Sequence, residues 1–301
     1  MKLKIVLSIS EITIFLLLIG LGTVVNVFIF VNYICTFMGS GKKSIHLILI
    51  HLALTNITLL FSKAMPVTIA AFGLRHFLGD VGCHIFVYLE RMARGLSICT
   101  SSLLTVVQAV IMSPRVSWWG RLRLRSKWHV LLSVFFFWIL NMLISMNLLF
   151  SIRDIATDTL QLSKNSEYCY FKKESQKRNN IFLILMVLRD AAFQGAMGGA
   201  SGYMVFLLHK HHQHVLYLQN SKLLYRTPPE LRAAQSVLLL MLCFIFIYWT
   251  DCVVSLYLSS SWNNDSLTVH FQEFLTVGYA VFSPFILIHR DGLLAECCHA
   301  R

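Results

Sequence analysis

Glu90, Arg91 and Arg94 interrupt an otherwise apolar stretch of the chain, and Lys63, Arg189, Asp190 and Asp251 interrupt three more. An ionised group in such surroundings costs about 3 kcal/mol or more when it faces hydrocarbon. Groups kept there are expected to pair with one another or to meet a charged or polar ligand. Nothing in their spacing suggests catalysis. There is no phosphate-cradling glycine loop, no metalloprotease spacing and no nucleophile beside a base in the chain, so no enzyme is predicted. His209, His211, His212 and His214 lie close together without an acid or thiol beside them. They are not read as a metal site, and no cofactor is expected.

The depth of the seven charges is informative. At about 1.5 Å per helical residue, Glu90–Arg94 fall roughly 10–16 Å along from Cys83. Lys63, Arg189, Asp190 and Asp251 fall about 12–14 Å from the corresponding ends of their own stretches. Four helices thus bring charge to one layer. A proton or ion pathway would need polar groups across the full thickness. Glu90, Arg94, Ser97, Ser101, Thr105 and Gln108 recur at helical spacing and form one polar stripe, which must face other helices rather than lipid. Glu90 precedes Arg94 by four residues, the favourable order for an ion pair within a helix. Arg189 and Asp190 are adjacent, about 100° apart around a helix, and are expected to point different ways. With more cations than anions, the layer is predicted to be a small-molecule pocket of net positive potential. The competing reading is that the charges neutralise each other and only fasten the helices together.

The elements that must position these residues are seven apolar spans. They fall at about 12–33, 45–72, 83–112, 129–150, 181–208, 233–259 and 271–289, each long enough to provide the roughly 20 residues needed to cross a bilayer. Hydrophobic residues make up 56% of the 301 and charged residues only 13%, which leaves no room for a separate soluble domain. The expected architecture is an all-α membrane protein: one seven-helix bundle over residues 1–301. Met1–Ser10 runs directly into the first span, so no cleavable leader is predicted.

The net charge of +12 does not indicate nucleic acid, because its distribution follows the membrane. Loops after spans one, three, five and seven carry a large excess of Lys and Arg, whereas the opposite loops are nearly balanced. The basic side is expected to be cytoplasmic, with the N-terminus outside. The charge layer then lies in the outer half of the bundle. Gln108, Arg115, Arg121, Arg123, Lys210, Arg226 and Arg232 are the candidates for the face that docks a cytoplasmic partner. The plainer reading of the basic loops is a helical extension resting on an anionic leaflet.

Of eight cysteines, only Cys83 and Cys169 reach the oxidising side in this topology. A disulfide between span three and the second outer loop is predicted, two free thiols being the alternative. Asn264-Asp265-Ser266 is a glycosylation sequon in the third outer loop, and Cys297 and Cys298 are candidate palmitoylation sites. Pro66 and Pro284 fall inside spans and are expected to kink them.

Seven spans, an outer N-terminus and that disulfide resemble a G-protein-coupled receptor. The stretches HLALTN (His51–Asn56), PVTIAAFGLRHFLGDVGC (Pro66–Cys83), ARGLSICTSSLLTVVQAVIMSP (Ala93–Pro114), SGYMVFLLHKHHQHV (Ser201–Val215), RAAQSVLLL (Arg232–Leu240) and FSPFILI (Phe282–Ile288) resemble the vomeronasal type-1 receptors in order along almost the whole chain. The resemblance implies a pheromone or odorant receptor of the plasma membrane, signalling through a heterotrimeric G protein of the inhibitory class. Where rhodopsin-like receptors usually have Asp-Arg-Tyr at the inner end of span three, this chain has Val107, Gln108 and Ala109, so other contacts must hold the resting state. Asn56 takes the place of their sodium-binding aspartate, and Ser283-Pro284 that of their Asn-Pro. Two features depart from the vomeronasal pattern itself: Glu90 stands where a histidine is common, and Asn165-Ser166-Glu167 fails as a sequon. The alternatives to a receptor are a small-solute transporter, or a receptor relic that no longer signals.

Overall fold

The computed structural model describes residues 2–39, 44–71, 79–113, 127–155, 176–218, 238–239, 242–243, 245–250 and 266–291, apart from the side chains of some residues near helix ends. Seven helical elements follow one another: α1 Lys2–Met38, α2 Ser44–Ala71, α3 Gly79–Met112, α4 Lys127–Ile155, α5 Gln176–Leu218, α6 within 238–250, and α7 Ser266–Asp291. The seven-span all-α architecture is as the sequence predicts. A backbone surrounded by hydrocarbon must satisfy its own N–H and C=O groups, and continuous helices do so. Asp251, Cys169, Asn264, Arg115, Arg121, Arg123, Arg226 and Arg232 lie outside the described residues.

α3 is the central helix. It packs against α2, α4 and α5, while α1 packs on α2 and α7. Four helices contain stretches long and apolar enough to cross a bilayer unaided: Ile12–Met38, Ser44–Ile69, Ile85–Met112 and Trp128–Met146. In α7 the apolar run shortens to Val277–Ile288. The main core joins α1 to α4 and α7 through Ile29, Ile48, Leu52, Leu96, Leu104, Val130 and Leu287. Leu17, Val24, Leu132, Phe135, Leu188 and Phe206 point outward from the bundle, as lipid-facing side chains do.

α5 runs 43 residues, about 65 Å at the α-helical rise and roughly twice the hydrocarbon thickness. It continues past the predicted span end at Leu208 to Leu218, so the histidine-rich start of the third basic loop is a helical extension. Lys210 is exposed on it.

Pro284 sits inside α7 without breaking it. Proline lacks the N–H that would bond the carbonyl four residues back, here Ala280. Asn26 of α1 supplies the missing donor, its Nδ2 lying 2.9 Å from the Ala280 oxygen. Gly22, one turn away on α1, permits the approach: a Cβ there would lie 2.9 Å from a Val281 methyl carbon.

Candidate functional site

The polar stripe of α3 does face the bundle. Ser97, Ser101, Thr105 and Gln108 are all buried. Ser97 Oγ donates to Asn56 Oδ1 at 3.4 Å, and Ser101 Oγ lies 2.7 Å from Tyr279 Oη on α7. Thr105 turns its hydroxyl back to the Ser101 carbonyl at 2.9 Å. Gln108, assigned to the cytoplasmic docking face from sequence, lies inside the bundle at 5% exposure.

The described charges fall into two sets of contacts, paired differently from the sequence expectation. Glu90 binds not Arg94 but Lys63 of α2, Nζ to Oε1 2.9 Å. Pairing along α3 would have left Lys63 to be desolvated alone, whereas the interhelical bridge neutralises both groups. The two side chains retain 21% and 19% exposure. Arg94 instead lies over the ring of Tyr248 on α6, its Cζ 4.7 Å from the ring centroid, which is cation–π geometry.

Arg189 and Asp190 correct a second expectation. They were predicted to diverge, yet they pair: Arg189 Nε and Nη2 approach Asp190 Oδ1 at 2.8 and 2.7 Å. The long guanidinium stem curls around the helix and makes up for the angular offset of the two Cβ atoms. Tyr248 Oη donates to the other carboxylate oxygen, Oδ2. Arg94 is also within electrostatic range of Asp190. Arg189 Nη1 then donates to Asn141 Oδ1 of α4 at 2.7 Å. Asn141 Nδ2 caps the Phe137 carbonyl at 2.8 Å and points toward Cys99 Sγ at 3.6 Å. Contacts therefore run from α4 through Asn141, Arg189, Asp190 and Tyr248 to Arg94 on α3. Arg91 lies on α3 between Glu90 and Arg94 and is partly buried.

Two neutral networks lie apart from these charges. In the first, Asn56 Nδ2 donates to Asn26 Oδ1 at 3.1 Å and to Ser283 Oγ at 3.0 Å. Asn26 Nδ2 also reaches the Gly22 carbonyl at 2.8 Å. Both amides thus use both N–H groups, and α1, α2, α3 and α7 are tied without a charge. In the second, Trp138 Nε1 of α4 donates to His51 Nε2 at 2.9 Å, while His51 Nδ1 lies 2.9 Å from Thr100 Oγ1. The one Thr100 hydroxyl proton goes to the Leu96 carbonyl at 2.7 Å. Indole only donates, so His51 carries its proton on Nδ1 and gives it to Thr100. Near the Met112 end of α3, Ser113 Oγ lies 2.9 Å from Tyr203 Oη of α5.

Sequence reasoning missed Asn141, Tyr248, Gly95 and the His51–Trp138 pair. For Asn141, Tyr248, His51 and Trp138 the one signal was a neutral polar group in an apolar span, which is weaker than a charge, and Gly95 gave none.

A seven-helix bundle with a central third helix and polar groups turned inward defines the G-protein-coupled receptor fold. The chain superposes on the crystal structure of squid rhodopsin with a TM-score of 0.68 over 93% of this chain and 81% of that one, at 15% identity. The family model of the vomeronasal organ pheromone receptors matches residues 9–300, and the chain belongs to that family. It is 32% identical over 274 residues to vomeronasal type-1 receptor 4 of Homo sapiens, covering 90% of each. It is likewise 32% identical over 283 residues to vomeronasal type-1 receptor 51 of Mus musculus, covering 93% of this chain and 88% of the other. Olfactory receptor class A-like protein 1 of Danio rerio is 29% identical over 286 residues, covering 93% of this chain and 89% of the other. The chain is thus a chemosensory receptor of the multi-pass plasma-membrane class, not an enzyme.

Proposed function

We propose that this receptor binds a small pheromone or odorant among the charges of the outer half and activates a heterotrimeric G protein, of the inhibitory class, at its inner face. The N-terminus lies outside on this reading, because the basic loops then meet the cytoplasmic leaflet. A Cys83–Cys169 disulfide ties the outer end of α3 to the second outer loop, and Asn264 is glycosylated. Lys210 and the basic residues Arg115, Arg121, Arg123, Arg226 and Arg232 meet the G protein.

The observation that carries the reading is the chain of contacts among Arg94, Tyr248, Asp190, Arg189 and Asn141. Four helices meet there through polar groups, so a small molecule entering the layer would exchange contacts with all four. A ligand changes a conformational equilibrium only through such differential contacts. Asp251 belongs to the same layer on sequence grounds.

The test is a calcium response to a ligand panel in cells bearing the receptor at the surface with a co-expressed G protein. Arg94→Ala is expected to abolish the response at unchanged surface level. An unaltered dose–response curve in that variant would remove the layer from ligand binding. Ligand-driven uptake without nucleotide exchange would favour a transporter, and surface delivery with neither response a non-signalling relic.

A further inference from the structure

The contacts distinguish the cations of the layer from one another. Lys63 is committed to Glu90. Arg189 is committed to Asp190 and Asn141. Arg94 is held over the Tyr248 ring. The carboxylates of the layer within the described residues, Glu90 and Asp190, are engaged by Lys63 and Arg189 respectively. Among the described residues, Arg91 has no ion-pair or hydrogen-bond partner; the charges it senses are Glu90, already bridged, and Arg94, of like sign.

The direction of Arg91 follows from its neighbours on α3. Arg94 is about 60° to one side of it around the helix and Gly95 about 40° to the other. Arg94 meets Tyr248 of α6, and Gly95 faces Arg189 of α5. The Cα–Cβ bond of Arg91 is therefore directed toward the gap between α5 and α6, about one helical turn nearer the Gly79 end than Gly95. A guanidinium cannot shed its proton to escape desolvation, and its planar fork matches a carboxylate or sulfate in two parallel hydrogen bonds.

We infer that Arg91 is the anchor for an anionic group on the ligand, so that the receptor selects small organic acids, carboxylates or sulfates, over neutral molecules of the same carbon skeleton. This rests on the ligand-binding reading above and adds to it the charge of the ligand and the residue that reads it. Arg94 contributes positive potential around the site, while Arg91 makes the direct contact.

The experiment uses the full chain in lipid nanodiscs and reads thermal stabilisation, which follows binding by mass action. The probes are short alkyl and alicyclic carboxylates and alkyl sulfates, each beside the alcohol of identical skeleton. Acids are expected to stabilise the wild-type receptor at concentrations at least about tenfold below their matched alcohols. Arg91→Gln is expected to raise the required acid concentration by about 10- to 100-fold and to leave the alcohols where they were. Arg91→Lys keeps the charge and should retain acid preference with weaker binding. The wild-type ratio of acid to alcohol decides the matter even if Arg91→Gln fails to fold. Alcohols matching acids, no acid stabilising the receptor, or Arg91→Gln binding acids as wild type would each overturn the inference. Basal nucleotide exchange on a G protein added to the same nanodiscs separates the two failures. Exchange without acid preference removes Arg91's role alone; loss of both removes the receptor reading as well.

Discussion

Arg189 of α5 reaches Asn141 of α4 by passing over Gly95 of α3, Nη1 to Oδ1 2.7 Å. A Cβ at Gly95 would lie 1.9 Å from Asn141 Oδ1 and 2.3 Å from Arg189 Nη1. The slot exists because one residue of the central helix has no side chain. It lets the most buried of the described charges find a neutral acceptor on α4.

Gly95→Ala is accordingly expected to cost about 1–3 kcal/mol through overpacking, despite alanine's better helix propensity. Asn141→Ala leaves an Arg189 N–H without its acceptor, at about 1–3 kcal/mol. The double substitution should cost less than the sum, because removing the Asn141 amide clears most of the clash. Melting temperatures of the four proteins in one detergent check this; strict additivity would mean that the slot is not shared.

Lys63 and Glu90 form the bridge between α2 and α3. Lys63→Gln or Glu90→Gln alone strands a charge that is four-fifths buried and should lower stability and surface level clearly. The double neutralisation should recover much of that loss. A double-mutant cycle showing no coupling would indicate that the pair contributes nothing inside the membrane.

Asn26 stands in for the N–H that Pro284 lacks. Asn26→Ala should destabilise by about 1–3 kcal/mol, since it orphans the Ala280 carbonyl and an Asn56 donor together. Adding Pro284→Ala restores an intrahelical donor to Ala280 and should return part of the loss. Thermal unfolding of the single and double variants tests the exchange, and no recovery would mean that the Ala280 carbonyl is not the group at stake.

Ser113 and Tyr203 join α3 to α5 beyond the Gln108 end of the polar stripe. The Val107–Ala109 segment has no arginine to do this, so the hydroxyl pair is a contact available to hold the resting arrangement. A hydrogen bond of this kind contributes about 0.5–1.5 kcal/mol net. Tyr203→Phe is therefore expected to raise basal nucleotide exchange by roughly two- to tenfold, at unchanged surface level. Basal exchange equal to wild type would show that the pair does not bias the equilibrium.

Much of this protein was legible in its residues. Span lengths are set by bilayer thickness, and a charge inside a span announces itself by its cost, so both the bundle and the common depth of Lys63, Glu90, Arg94, Arg189 and Asp190 could be read without coordinates. So could the inward face of α3, because Ser97, Ser101 and Thr105 repeat at the helical period. Pairing could not be read in this way. Spacing along one helix favoured Glu90 with Arg94 and separated Arg189 from Asp190. The structure joined Glu90 to Lys63 and curled Arg189 back onto Asp190, because long side chains choose partners among neighbouring helices as well as their own. Which helix stands opposite which residue depends on crossing angles and on close approaches such as those at Gly22 and Gly95. Those distances arise only when the helices pack together, and they decide which of the described charges are paired with which.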